Sequence, residues 1–154
     1  MVNPEELRTG DLVRVSHDCM FPKGTMCVVV DIHPDIKYKG GKGSACLSAI
    51  NGDDDGPWWA WCSKIGGIPI TPEILNKNGF KGEVVGKYYL YTKPLDNEAR
   101  SLARYLVVER KGGVFTVAIK YHCLYEYALL REIQYVHELQ HILWALGFDA
   151  ELKL

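Results

Sequence analysis

The chain has 154 residues, 47% of them apolar, with 18 basic and 19 acidic side chains and a net charge of −1. That length fits one domain or two small lobes, and the apolar content excludes a disordered chain. So small a net charge supplies no global field for capturing nucleic acid or an anionic membrane.

In chain order, the first seventy residues alternate short strand-like runs with turn signals. Gly10-Asp11-Leu-Val-Arg-Val15 predicts a strand with Leu12 and Arg14 on one face and Val13 and Val15 on the other. Thr25 to Ile32 is a β-branched run suited to a buried strand, and Ser44 to Ile50 is predicted as the next strand. Between them Tyr38 to Gly43 reads as a glycine- and lysine-rich surface loop without the phosphate-cradling G-x-x-x-x-G-K-[ST] pattern. Asn51 to Gly56 imitates the first half of an EF-hand loop, but Cys62 stands where the bidentate glutamate belongs, so an Asp/Gly turn is the better reading. Trp58 to Cys62 follows as a strand. The opening L-x-x-G-D-x-V-x-V resembles the start of many SH3-like barrels. Residues 1–70 are therefore expected to form a lobe built as a small antiparallel SH3-like β-barrel.

Residues 71–154 are expected to form an α+β lobe, with a core of its own or one shared with the first. Thr71 and Pro72 open a short helix to about Lys77, stopped at Asn78-Gly79. Lys87 to Thr92 alternates as a strand, and Pro94 to Ala103 is a polar connector. Tyr105–Arg110 and Val114–Tyr121, joined through Gly112-Gly113, predict a hairpin. A helix is predicted from about Tyr127 to Leu146, its apolar stripe of Leu129, Ile133, Val136, Leu139, Leu143 and Leu146 facing the sheet. The whole is an α+β fold.

No N-terminal leader pattern and no apolar stretch of membrane-spanning length is present, so a cytoplasmic protein is expected. Cys19, Cys27, Cys46, Cys62 and Cys123 are odd in number and lack C-x-x-C spacing, which favours reduced thiols serving as small hydrophobes.

Within the last helix, His137-Glu138-Leu139-Gln140-His141 fits H-E-x-x-H. In a zinc hydrolase that pattern supplies two imidazole ligands and a general base, Glu138, on one helix. A third ligand is still required. The metzincin extension meets Trp144 and Gly147 instead of glycine and histidine, leaving His17, His33 or His122 as candidates.

Three segments carry a resemblance: Ile68 to Phe80, the tyrosine strand Tyr88-Tyr89-Leu90-Tyr91, and Ile133 to His141 with its short tail. They resemble a group of small proteins from Bacteroides-type bacteria, their prophages and their phages, to which no activity is assigned. Glu6-Leu-Arg-Thr-Gly-Asp-Leu-Val13 matches that group's opening element, while residues 16 to 66 match poorly. Glutamine usually stands there in place of Glu138. A metallopeptidase cannot lose its base, so the resemblance implies a coincidental H-E-x-x-H and a mobile-element accessory role.

Trp58, Trp59 and Trp61 concentrate more aromatic area than one face of one strand can bury, so at least one indole is expected at the surface. The favoured reading is a non-enzymatic interaction protein binding a protein or small ligand through these tryptophans, without cofactor and with homo-oligomers possible. The alternative is the zinc hydrolase of His137, Glu138 and His141. A third, nucleic-acid binding at Lys37, Lys39 and Lys42, lacks an extended basic stripe.

Overall fold

Among the residues described by the computed structural model (2–17, 19–38, 41–51, 56–96, 103–121 and 127–154), the chain builds two antiparallel sheets of five strands, a short internal helix and a short C-terminal helix. It is an α+β protein. It divides into two compact units, Met1–Pro69 with Tyr135–His141, and Ile70–Gln134 with Ile142–Leu154.

In the first unit, β1 (Leu12–Val15), β2 (Met26–Tyr38), β3 (Gly41–Ala49), β4 (Trp58–Trp61) and β5 (Ile65–Gly67) lie in the order β4-β3-β2-β1-β5. One 3-10 turn, Cys62–Lys64, leads into β5. The alternation expected for β1 holds: Val13 and Val15 are fully buried and Arg14 is exposed. They meet Cys27 and Val29 of β2, Leu47 of β3 and Ile65 of β5 in one apolar cluster. The sheet is not closed, so the SH3-like barrel expected for residues 1–70 is not confirmed. The lysine-rich loop is also corrected. β2 runs on to Tyr38 and β3 starts at Gly41, with Lys37 opposite Lys42, so strand pairing supplies the backbone bonds a loop would leave to water. Lys39 lies outside the described residues.

Three of the five cysteines, Cys27, Cys46 and Cys62, are buried, and burial pushes their thiols upward, that of Cys27 to about 11. They act as the small hydrophobes expected of them. Cys19 is exposed and Cys123 lies outside the described residues.

The second unit opens with α1 (Pro72–Lys77), where the Thr71 hydroxyl accepts from the Ile74 N–H as an N-cap. A meander follows, with β6 (Lys81–Val85), β7 (Tyr88–Pro94), β8 (Arg104–Lys111), β9 (Val114–Tyr121) and β10 (Tyr127–Ile133) adjacent in chain order. The hairpin between β8 and β9 turns at Gly112 and Gly113, both at positive φ. The connector after Pro94 is anchored where Asp96 accepts a forked pair of bonds from the Arg104 guanidinium, at 2.9 and 3.0 Å.

The long C-terminal helix is the main correction. Tyr127–Ile133 is a strand paired with β9, and α2 spans only Val136–Ala145. Ala-Leu-Leu-Arg-Glu has helical propensity, but propensity is worth only tenths of a kcal/mol per residue. A neighbouring strand that satisfies the backbone outweighs it. α2 buries Val136, Leu139, Ile142 and Leu143 and leaves Trp144 exposed, then stops at Gly147, whose φ of 78° suits glycine.

Candidate functional site

The helix motif comes first. Tyr135 is the last residue before α2, and Glu138 stands three positions on. Glu138 Oε2 accepts from the Tyr135 backbone N–H at 2.9 Å. That is the returning half of a capping box, in which glutamate or glutamine satisfies the N-cap amide. Gln140 then bonds the turn before β1 on both sides. Its Oε1 accepts from the Leu12 N–H at 2.8 Å and its Nε2 donates to the Gly10 carbonyl at 3.1 Å. The side-chain amide thus pairs with the turn as a neighbouring strand would. His141 Nε2 lies 2.8 and 3.0 Å from the two oxygens of Asp11, which is almost completely buried and also accepts from the Arg8 N–H.

His137 is only 3% exposed. Its ring stacks on Tyr135 at 5.7 Å and meets the edge of His141 at 5.8 Å. Its Nδ1 makes no hydrogen bond among the described residues. Burial holds its pKa below the ordinary histidine value, although Asp11, Glu138 and Glu6 pull the other way.

These donors do not fit a zinc site. The His141 Nε2 is spent on Asp11, and the Glu138 carboxylate is turned back on the helix N-terminus. Among the described residues no three His, Cys, Asp or Glu side chains are grouped to hold a metal ion. Of the proposed third ligands, His17 lies beside the Ser16 hydroxyl, His33 stacks on Trp59, and His122 is outside the described residues. The motif is a clasp: it caps its own helix and ties the Gly10–Leu12 turn.

The second candidate lies on β4, at the edge of the first sheet. Cys46 is opposite Trp59 and Ser44 opposite Trp61, whereas Leu47 is opposite Trp58. Directly opposed residues share a face, so Trp59 and Trp61 point to one side and Trp58 to the other. His33 of β2 pairs with Ser44, one row along from Trp59, and its imidazole reaches diagonally to stack on the Trp59 indole at 4.7 Å and 15°. A groove of about 420 Å³ opens there, lined by His33, Ile36, Ser44, Trp59, Ala60 and Trp61. Trp58 and Trp59 keep 39% and 46% of their surface exposed. The acidic stretch Asp53 to Asp55 and most of the EF-hand-like loop lie outside the described residues.

Of the lysines proposed for nucleic acid, Lys39 lies outside the described residues and Lys42 is already paired. Lys42 Nζ pairs with Glu5, an ion pair that raises the lysine and lowers the carboxylate. Sequence reasoning missed Asp11 and Gln140 in the clasp and His33 and Ile36 in the groove. Only pairing register brings His33 to Trp59, because the two are 26 positions apart in the chain. Comparison with protein-family models, with curated proteins and with solved structures gives no match.

Proposed function

We propose that this chain is a non-enzymatic interaction protein that binds a protein or a small ligand at the aromatic edge of its first sheet. One observation carries the reading: the half-exposed Trp59 indole, fixed by its stack on His33 beside a groove that no acid, lysine or arginine lines. A stacked, oriented indole loses little freedom on binding, and apolar grooves with a few polar groups are the usual seats of ligands. The bonds of Glu138 to the Tyr135 amide and of His141 to Asp11 favour this reading over a hydrolase. The order of the first sheet, with its last strand returning to pair beside its first, supports an SH3-like relationship. The resemblance of the helix and opening motifs supports reading the protein as a phage or prophage accessory factor acting in the host cytoplasm.

The test is a fragment titration with small neutral aromatics, followed in the amide and indole NMR spectrum. Shift changes should cluster on the Trp59 indole N–H, Ser44 and Ala60. Changes absent from β4, or scattered evenly over the surface, would contradict the reading.

A further inference from the structure

Resting on that reading, we infer that the partner is an extended peptide segment that adds as a sixth strand along β4 and places an uncharged aromatic or large aliphatic side chain in the His33–Trp59 groove.

Edge strands present backbone groups that template pairing with another chain. Proteins blunt them with charges, bulges or covering segments. Among the described strands, three of the four sheet edges carry such protection. β5 is buried, with the Val2 N–H donating to the Ile65 carbonyl and the Tyr135 ring packed against Gly67. β6 carries Lys81 and Glu83. β10 carries Arg131 and Glu132, and its register shifts between Leu129 and Arg131. Like β5, β4 holds no charged residue and pairs without a register shift, but two of its three tryptophans stay exposed where β5 is buried. Its guard is shortness, with Pro57 before it and a 3-10 turn after it. Four residues limit pairing to a brief segment and discourage sheet-on-sheet aggregation.

The same strand presents its side chains to the groove. Strand addition draws affinity from main-chain bonds and specificity from pockets that take alternate side chains. β4 offers both within one span. None of the groove's lining residues is an acid, a lysine or an arginine. A charged side chain seated there would lose water without gaining a counter-charge. The occupant's anchoring side chain is therefore uncharged.

The exposed indole area favours a peptide over a second copy. With an indole presenting up to about 250 Å², the 39% and 46% exposures of Trp58 and Trp59 leave about 200 Å² per chain. Two copies would contribute about 400 Å² of indole, a third of the roughly 1,200 Å² that a stable interface buries. A short peptide held by backbone bonds and one anchor needs no more.

The probe is a blocked heptapeptide, Ser-Val-Thr-Phe-Thr-Val-Ser, beside a twin N-methylated at its three central residues. Side chains are unchanged in the twin, but its central backbone donors are gone. The unmethylated peptide should shift the Trp58, Trp59 and Ala60 amides and the Trp59 indole, and Trp59→Ala should weaken it by about tenfold or more. The twin should also bind about tenfold or more weakly, as expected for losing two or so backbone bonds. Equal binding of peptide and twin would overturn strand addition while leaving the aromatic surface standing. Small aromatics perturbing the groove with no response to the peptide would do the same. If neither fragments nor peptide perturb β4, the binding surface itself falls. Concentration-dependent dimerisation abolished by Trp59→Lys would replace the peptide with a second copy.

Discussion

Asp11 and His141 show how the last histidine of the H-E-x-x-H segment takes part in a structural contact. A buried carboxylate is costly unless hydrogen-bonded, and Asp11 is bonded by His141 and by the Arg8 amide. A double-mutant cycle with Asp11→Ala and His141→Ala, read by urea unfolding, should give a coupling of about 1.5–3 kcal/mol. A coupling near zero would mean that the two side chains are neighbours without consequence. His137 adds a pH dependence. Its folded pKa is depressed by burial, so the native state resists a proton that the unfolded chain accepts. The stability it contributes is present above the ordinary histidine value of about 6.5 and is lost as pH falls from there through the folded pKa. Asp11, Glu138 and Glu6 oppose the depression and His141 adds to it. Urea midpoints between pH 8 and 5 should therefore fall less for His137→Phe than for the wild type. Equal slopes would show that His137 does not titrate across that range.

For the elements, Glu138 gives the clearest contrast between a base and a cap. Glutamine can make the same bond to the Tyr135 N–H. Glu138→Gln should change unfolding free energy by less than about 0.5 kcal/mol, and Glu138→Ala should cost about 0.5–2 kcal/mol. Losses of equal size from both would contradict the capping role. On the buried face of α2, Leu143→Ala should cost about 2–5 kcal/mol, far more than Trp144→Ala. Gly67→Ala is expected to destabilise by about 1–3 kcal/mol, because a Cβ there would drive into the Tyr135 ring. Much of this was legible in the sequence. Thr71-Pro72 and Asn78-Gly79 bracket α1, Gly112-Gly113 marks its hairpin, and alternation sorts Val13 and Val15 inward. β6 was missed although Val85-Gly86-Lys87-Tyr88 carries a two-residue turn signal between apolar pairs, with Gly86 at positive φ. Tyr127–Ile133 was misread for a different reason. Leu129 and Ile133 fit a helical step, and only the partner strand β9 reveals the alternative.

Across the whole molecule, the residues that hold the fold are distinct from those proposed to meet a partner. Asp11, Gln140 and His141 join two segments of the first unit 130 positions apart. Such a contact leaves no local periodicity to read. The tryptophans were legible as an aromatic surplus. The groove beside them was not, because it depends on the His33 register. No helix among the described residues is long and apolar enough to cross a membrane. The most direct measurement is one titration of the neutral aromatic fragments into two folded variants, Trp59→Ala and His141→Ala. Trp59→Ala should lose affinity by about tenfold or more, as truncating an anchoring aromatic commonly does. His141→Ala, though less stable, should keep wild-type affinity in its folded fraction. Binding lost on removing His141 and kept without Trp59 would return the function to the helix motif.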